Sequence, residues 1–386
     1  MKLRFTILLL FLACISVSQN INIRIYSDSK IESFVFYAKS GKYDCVAHNK
    51  IICTINEGQS ATVSRKGHKI TIYIGQESHS ADTLLLFRGV SQDNIFQTRF
   101  HSKQLKAREY DNDLYVKTTK NGIILINDVN FEKYVAGVVE SEGGAKAGIE
   151  YYKAQAILCR TYAAKFYTRH LKNGYNLCDA VHCQAYVGRS RYSKAIVEAT
   201  NATKGLVLVD ANNNLIEATF YSNSGGETCN SEDVWNKTIP YLRSKPDPYS
   251  IGRPAYEWQK VIPRQDWEKY LLKKGYPIAD SADLTFDQFT RKKYLYTDCT
   301  DSLIPLTTIR KDWKLRSTFF CVDSRENEVV LYGKGFGHGV GMAQEGAMEM
   351  ARQGFNYKEI LMFYYTNVSL MSISNLKFFQ IDEKNK

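Results

Sequence analysis

The stretch from Tyr134 to Lys172 constrains the fold of this chain most, because it joins two acids, a glycine break and a long helical pattern. An apolar run ends at Glu140 and Glu142, and Gly143 and Gly144 follow. Beyond them, apolar residues recur at spacings of three and four, which predicts one buried helix face. That face comprises Ile149, Tyr152, Ala156, Cys159, Ala163 and Phe166.

The two acids just ahead of this predicted helix have two interpretations. A carboxyl group held by rigid structure can face a cleft and lose solvent there, and burial raises its pKa toward that of a useful general acid. Alternatively, both acids are solvated and interact only with the dipole of the helix. The local sequence leaves both open.

The first 18 residues have the pattern of a secretory signal peptide. Two basic residues precede an apolar run from Phe5 to Val17, which is too short to span a bilayer, and small residues at 16–18 suit cleavage. Cys14 would suit a lipid anchor, but its upstream neighbours match that signal poorly. No other run of about 18 apolar residues exists. We therefore expect an exported chain, in the periplasm or cell envelope, without a transmembrane segment after signal removal.

The net positive charge of the chain favours some classes of binding partner over others. The 386 residues carry a formal charge of +11, and removing the two signal-peptide cations leaves +9. A basic surface suits a polyanion such as a cell-wall polymer, nucleic acid or a membrane surface. Export, and the lack of a Lys/Arg block interleaved with aromatic residues, count against nucleic acid.

Hydrophobic patterning predicts an α+β protein with more than one domain. Short alternating runs separated by glycine and polar turns indicate a β-rich region over 19–110. A mixed α+β domain with the long central helix follows over 111–380. Within it, the segment 250–325 has the least informative sequence pattern. We also predict a hairpin that pairs Leu206–Val209 with Ile216–Tyr221.

Three separated stretches share their residues and their order with one family. The opening stretch contains Gly137-Val138-Val139, Glu142, Lys153-Ala154-Gln155-Ala156 and Arg160-Thr161-Tyr162; the middle one contains Tyr221-Ser222, Ser224-Gly225-Gly226, Trp235 and Pro240-Tyr241-Leu242; the closing one runs from Gly335 to Met342 and adds Gln344, Gly346 and Ala347. Together they resemble the SpoIID/LytB family, bacterial envelope proteins that include a sporulation lytic transglycosylase and an amidase enhancer. The resemblance covers about residues 110–370.

The resemblance implies a lytic transglycosylase that cleaves peptidoglycan glycan strands, intact or stripped of stem peptides, to 1,6-anhydromuramyl ends. Glu142 aligns with the catalytic glutamate of the family, whereas Glu140 would be a bystander or a substrate contact. Hydrolytic glycosidases usually need two carboxylates. A lytic transglycosylase can use one, because the sugar's own 6-hydroxyl is the nucleophile. The implied substrate-binding residues are Ser224, Gly225, Gly226, His338, Gln344 and Arg160.

Four residues between positions 170 and 183 could bind zinc. His170, Cys178, His182 and Cys183 offer two nitrogens and two sulfurs, the donor set of a closed tetrahedral site. Some members of the family are reported to bind zinc in this segment, and a closed site would be structural. A Cys178–Cys183 disulfide is the alternative, and Cys45 with Cys53 is the most plausible disulfide elsewhere.

The family resemblance also leaves a non-enzymatic function open. A wall-binding protein with this fold could activate a separate N-acetylmuramoyl-L-alanine amidase, and the retained Glu142 favours catalysis over that role. Two departures lie near the acid: Gly143 stands where the family commonly has methionine, and Glu345 where an aromatic residue is usual. A thiol peptidase built on Cys159 is disfavoured, because that thiol falls on the apolar helix face.

Overall fold

A computed structural model describes residues 19–375 except 92, 103, 277, 279–282, 287–292 and 296–303. The predicted signal peptide and Cys14 lie outside the described residues. The chain divides into two units between Tyr134 and Val135. None of the helices in the described ranges is long and apolar enough to cross a membrane.

The first unit is made of strands. They are β1 (Asn20–Ile25), β2 (Ser33–Ser40), β3 (Tyr43–Ala47), β4 (Lys50–Ile55), β5 (Ser60–Lys66), β6 (Lys69–Ile74), β7 (Glu77–Ala81), β8 (Leu84–Gly89), β9 (Ile95–Arg99), β10 (Arg108–Asp111), β11 (Asp113–Thr119) and β12 (Gly122–Asn130). One sheet has the order β1-β12-β11-β8-β3-β4, and the other β10-β9-β2-β5-β6-β7. The predicted β-rich region is confirmed.

Alternating burial along these strands places aromatic residues between the two sheets. Phe36 of β2 stacks on Phe87 of β8 with ring centroids 4.1 Å apart, and Phe96 of β9 stacks on Phe36 from within its own sheet. The first unit extends to Tyr134 rather than to the predicted residue 110. The reason is that β11 pairs with β8 and β12 pairs with β1 and β11, so both strands complete the N-terminal sheet.

The second unit mixes helices with short strands. Its elements are α1 (Phe131–Gly143, entered from the first unit), α2 (Ile149–Lys165), β13 (Leu177–Cys178), α3 (Lys194–Ala202), β14 (Leu206–Val209), β15 (Phe220–Tyr221), α4 (Ser231–Trp235), β16 (Glu257–Pro263), α5 (Arg264–Lys273), β17 (Tyr294–Leu295), β18 (Ile304–Pro305), α6 (Leu306–Asp312), β19 (Phe320–Ser324), β20 (Glu328–Lys334), β21 (Met342–Ala343), α7 (Gln344–Arg352), α8 (Tyr357–Tyr364) and β22 (Ser369–Ser372). The α+β class is confirmed.

The central helix α2 is confirmed, and it is buried on more than the predicted face, since Tyr151, Gln155 and Thr161 are also inside. Helices α3, α7 and α8 and strand β14 pack around it. The predicted hairpin is confirmed only next to its turn, where Val209 pairs antiparallel with Leu215 and the Ile216 N–H donates to the Leu208 carbonyl oxygen at 3.2 Å. Beyond the turn, β14 pairs with β22, and β15 pairs in parallel with β21. Periodicity along a short strand shows that it is buried, but not which distant strand lies beside it.

The described residues between 257 and 334 form a small body of their own inside the second unit. Strands β16, β20 and β19 make a sheet in that order, and α5 and α6 cover one face of it. The core beneath includes Trp267, Leu271, Ile309 and Leu331. This body falls between the middle and closing motifs of the sequence.

Candidate functional site

Glu142 lies in the last turn of α1 rather than directly ahead of α2. The helix begins after Asn130, whose side-chain oxygen accepts hydrogen bonds from the backbone N–H groups of Glu132 and Lys133 at 3.0 and 3.1 Å. It ends at Gly143, and Gly144 follows with φ of +68°, a conformation that glycine adopts without strain. The sequence pattern therefore predicted the acid's neighbourhood but not the helix that carries it.

The Glu142 carboxyl group is half-buried and is held by one backbone donor. Its Oε1 atom accepts a hydrogen bond from the N–H of Ala185 at 2.9 Å. Burial raises the pKa of Glu142 above its ordinary value, and the Ala185 N–H opposes that rise. The negative end of the α1 dipole also favours the neutral acid. Within the described ranges Oε2 accepts no hydrogen bond, so one oxygen is positioned while the other remains available to a ligand.

The segment 185–192 runs along the end of α1 and is fastened to three consecutive side chains. Ser141 Oγ accepts a hydrogen bond from Val187 N at 3.0 Å. The Glu140 carboxylate accepts from Ser190 Oγ and Tyr192 N, each at 2.9 Å, and also from Arg191 N. Glu140 is therefore an anchor for this segment, and neither of the two expectations for it, bystander or substrate contact, describes that role.

Four side chains that could hold a metal ion converge at the start of this segment. The ligand atoms of His170, Cys178, His182 and Cys183 all lie within 4.8 Å of one another. The Cys183 sulfur is 3.5 Å from His170 Nε2 and 3.6 Å from His182 Nδ1. Zinc bound at about 2.05 Å to nitrogen and about 2.3 Å to sulfur would separate the two atoms by about 3.5–3.6 Å. The cluster therefore fits a tetrahedral ion, and both cysteines are free thiols.

Gln344, at the start of α7, connects the closing motif to the acid. Its Nε2 donates to the carbonyl oxygen of Glu142 at 3.1 Å, and its side chain also hydrogen-bonds with the Tyr151 hydroxyl. Tyr151 fills the space beside Gly143, where a Cβ atom would lie 2.6 Å from the tyrosine hydroxyl oxygen. Gly143, which stands where the family commonly has methionine, thus leaves space that the buried Tyr151 of α2 fills.

Both ring nitrogens of His338 have backbone partners, and the ring packs among other aromatic side chains. Its Nδ1 accepts a hydrogen bond from Val340 N, and its Nε2 lies 3.1 Å from the Phe220 carbonyl oxygen, so both nitrogens are engaged by backbone groups. The ring packs near Tyr221 and Trp235, with centroids 5.2 and 5.4 Å away. Trp235 is 39% exposed. Because β15 and β21 pair, this aromatic group lies beside the strand that leads directly to Gln344.

The Ser224-Gly225-Gly226 turn does not offer the substrate contacts predicted from the sequence. Ser224 is fully buried, and its hydroxyl accepts the Gly226 N–H at 3.1 Å. The Gly225 N–H donates to the Asn223 side chain at 2.7 Å. A Cβ atom on Gly225 would lie 2.7 Å from the Lys334 Cβ, so the glycine allows the middle and closing motifs to approach. The turn has a structural role.

Arg160 is also a structural residue, since its side chain has no exposed surface from which to contact a ligand. Its guanidinium group donates to the carbonyl oxygens of Leu206 and Thr200 at 3.0 and 3.2 Å. Burial likewise raises the pKa of the Cys159 thiol, which is fully enclosed in α2. A buried, protonated thiol does not support the thiol-peptidase alternative.

Glu345 stands where an aromatic residue was expected, and its carboxylate hydrogen-bonds with two other residues of the second unit. Its Oε2 accepts hydrogen bonds from Asn223 Nδ2 at 2.7 Å and Ala255 N at 3.0 Å. Asn223 in turn exchanges backbone hydrogen bonds with Phe336. The opening, middle and closing motifs therefore meet in one region of the second unit.

Known proteins of one family are similar to this chain. A family model described as "Stage II sporulation protein" matches residues 119–209. The chain is 30% identical over 264 residues to Stage II sporulation protein D of Bacillus amyloliquefaciens, covering 64% of this chain and 75% of that protein. The chain belongs to the SpoIID/LytB family.

Two further relatives come from Bacillus subtilis (strain 168). Its Stage II sporulation protein D is 29% identical over 260 residues, which cover 64% of this chain and 75% of the relative. Its Amidase enhancer is 29% identical over 292 residues, covering 61% of this chain but 40% of that longer protein. Within the SpoIID/LytB family, the chain is thus similar both to proteins named Stage II sporulation protein D and to one named Amidase enhancer.

Sequence reasoning missed the residues that position the acid. Ala185 acts through its backbone N–H, which no side-chain pattern reveals. Ser141 and Glu140 bind a segment more than 40 residues away, and a local pattern of polar residues gave no sign of that. The one sign of this contact in the sequence was the glycine at position 137. A Cβ atom there would lie 2.3 Å from the Gly188 carbonyl oxygen, so only glycine lets the segment approach α1.

Proposed function

We propose that this protein acts at the bacterial cell wall as a lytic transglycosylase, with Glu142 as its acid and base. The observation that carries the proposal is the state of that carboxyl group: half-buried, held through Oε1 by Ala185 N–H, and with its pKa raised by burial. A raised pKa leaves more of the carboxyl group protonated at a given pH than in a solvated glutamate, and a general acid reacts in that protonated form.

In the proposed reaction Glu142 acts twice. Its proton passes to the glycosidic oxygen as the bond to the anomeric carbon breaks. The resulting carboxylate takes the proton of the sugar's 6-hydroxyl, whose oxygen attacks the anomeric carbon and closes the 1,6-anhydro ring. The glutamic acid is regenerated, and no water is consumed.

The surroundings of Glu142 support a single-carboxylate mechanism. Hydrolytic glycosidases place a second carboxylate roughly 5–9.5 Å from the first. Two other acids within the motif stretches are already engaged: Glu140 holds residues 190–192, and Glu345 holds Asn223 and Ala255. Neither is free to activate water.

The aromatic group around His338 would orient the sugar. Tyr221 and Trp235 flank the His338 ring, and the exposed part of Trp235 gives the apolar face of a pyranose a surface to pack against. Gln344, fixed to the Glu142 carbonyl oxygen, would keep this group in register with the acid. We assign these residues to substrate positioning.

We further propose that His170, Cys178, His182 and Cys183 hold a structural zinc ion. The donor set and the spacings of the Cys183 sulfur fit zinc. When bound, zinc supplies a rigid crosslink. Ala185 follows Cys183 by two residues, so fixing the cluster also fixes the N–H that holds Glu142. All four ligands would come from the protein, which leaves no open position for water.

Activation of a cell-wall amidase is a second candidate function, favoured by the similarity to the Amidase enhancer. Under either function we propose an exported location and peptidoglycan glycan as the binding partner. The predicted signal peptide and the formal charge of +11 support both.

The deciding experiment compares the mature protein with its Glu142→Gln variant on intact peptidoglycan and on amidase-stripped strands. Mass spectrometry of the soluble products detects 1,6-anhydro ends. Glu132→Gln, in the first turn of the same helix, is the matched control. We expect anhydro products from the parent and the control, and at least a 100-fold lower rate from Glu142→Gln.

Other products point elsewhere. Reducing ends would identify a hydrolase and refute the single-carboxylate mechanism. If neither substrate is cleaved, a purified N-acetylmuramoyl-L-alanine amidase is added; equal stimulation of that amidase by the parent and Glu142→Gln would establish the second candidate.

A further inference from the structure

The small body formed by residues 257–334 has one covered sheet face and one open face. On the covered face, the Trp258 indole passes beneath Gly333, where a Cβ atom would lie only 2.0 Å from the ring. The open face carries Glu257, Gln259, Tyr332 and Lys334. In the antiparallel register Glu257 is opposite Lys334, and Gln259 is opposite Tyr332.

These side chains line a groove of about 570 Å³, with Trp258 and Gly333 contributing to its lining. Opposed Cβ atoms are separated by roughly 4.5–5.5 Å across the strands, and alternate residues by roughly 6.6 Å along them. The groove thus has an aromatic ring, an amide, a carboxylate and an ammonium group arranged as a two-by-two array. Concave sites that combine apolar surface with a few polar groups are typical ligand sites.

The Tyr332 ring is fixed in place although 36% of the residue is exposed. Its hydroxyl accepts a hydrogen bond from Arg325 at 2.9 Å, and Arg325 is itself paired with Asp323 and Glu328 at 3.0 Å each. On the same face of β16, two residues beyond Gln259, Val261 is 51% exposed. A ring that is already ordered loses little entropy on binding a ligand.

The Lys334 end of the groove lies next to the meeting point of the middle and closing motifs. Lys334 contacts Gly225, and the next residue, Gly335, donates its N–H to the Tyr256 carbonyl oxygen at 2.7 Å. Two apolar residues near this meeting point are exposed: Ile251, at 49%, lies close to Gly226, and Phe336, at 44%, follows Gly335.

We propose that this open face, comprising Glu257, Gln259, Val261, Tyr332 and Lys334, is an additional binding site for the glycan strand, beyond the site at Glu142. One carboxylate and one ammonium group balance each other, so the face favours an uncharged polyhydroxyl chain over a strong polyanion. The apolar sugar face would pack on Tyr332, and its hydroxyl and N-acetyl groups would meet Gln259 and Glu257. An extended peptide would instead use the edge of β16.

This inference rests on the proposed function for the identity of the ligand, but it is tested by binding rather than cleavage. Purified, peptide-stripped glycan strands are titrated into the full mature protein carrying Glu142→Gln, which prevents turnover. The strands contain several disaccharides, and a single disaccharide is titrated in parallel. Long strands that engage both sites bind more tightly than the disaccharide.

Tyr332→Ala and Gln259→Ala are each expected to weaken long-strand binding about tenfold and to change disaccharide binding at the Glu142 site less than twofold. Tyr73→Ala is the matched control, because Tyr73 is a tyrosine exposed to 44% on a strand of the first unit. Gln259 contributes nothing to the core, so its variant keeps the melting temperature of the parent.

Unchanged long-strand binding in both variants would overturn the proposal, as would no binding by the parent. A loss confined to Tyr332→Ala and accompanied by a lower melting temperature would also overturn it, because damage to the fold would then explain the loss. Cleavage assays of the parent distinguish the groove proposal from the transglycosylase proposal. If the parent makes no anhydro products but the groove variants bind long strands tenfold more weakly, the groove is a glycan site and the transglycosylase is refuted.

Discussion

Replacing Gly143 with alanine should destabilise the second unit, although alanine is normally the better helix former. Gly143 is the last residue of α1, and it is not among the glycines with positive φ, so the backbone itself accepts a side chain. In open space such a change stabilises a protein by about 0.4–1 kcal/mol. Here the added Cβ would lie 2.6 Å from the Tyr151 hydroxyl oxygen, and 3.1 and 3.3 Å from two ring carbons.

The expected magnitude follows from these contacts. Forcing an extra methyl group into a packed interior costs about 1–3 kcal/mol. Set against the gain from the helix, the net loss should be about 1–2 kcal/mol, which lowers the melting temperature by roughly 2–8 °C for a domain of this size. Tyr151 cannot move away freely, because it is fully buried and bonded to Gln155 and Gln344.

A double-mutant cycle measured by urea unfolding isolates the contact. Tyr151→Phe removes the closest atom and should itself cost about 1 kcal/mol through the lost hydrogen bonds. In that background Gly143→Ala should be close to neutral, so the two changes should couple by about 1–2 kcal/mol. Additive effects, or a stabilising Gly143→Ala in the parent, would refute the role of Tyr151 as the residue that requires glycine at 143.

The remaining predictions concern the acid, the thiol–histidine cluster and the first unit. Because burial raises the pKa of Glu142, the folded protein retains a proton that the unfolded chain releases; stability should therefore fall as pH rises from the ordinary carboxyl value through the raised one, and Glu142→Gln should flatten that part of a urea-unfolding series. Metal analysis should find about one zinc per chain, and Cys178→Ser should abolish it and increase proteolysis within residues 177–192, whereas a full metal content in that variant would exclude Cys178 as a ligand. Cys45 and Cys53 are free thiols directly opposite each other on β3 and β4; mild oxidation should remove two thiols and stabilise the first unit by about 2–3 kcal/mol, and an unchanged thiol titration would show that the pair does not form a disulfide.

Much of the fold was readable from local patterns. Alternation identified the β-rich N-terminal region, and the three- and four-residue spacing identified α2, because these periodicities reflect one buried side of a regular element. Glu142 could be chosen because it aligns with the catalytic glutamate of the family that the motifs resemble, and the four thiol and imidazole side chains because they form a zinc donor set within fourteen residues. Arg160 and Ser224, which the resemblance assigned to substrate binding, are fully buried, because a motif residue can be retained for packing as well as for contact with a ligand.

The sequence by itself determined the β-rich N-terminal region, the central helix, the family that the chain resembles and the carboxyl group that this resemblance singles out. Only the tertiary structure decided what surrounds that group: Ala185 N–H on one oxygen, Gln344 on its backbone and Tyr151 against the neighbouring glycine. Local patterns depend on side-chain size and polarity within a few residues. The pKa of the Glu142 carboxyl group depends on burial and on the Ala185 N–H, which comes from 43 residues away, and the donor to the Glu142 backbone comes from 202 residues away; only the folded chain places these groups beside the acid.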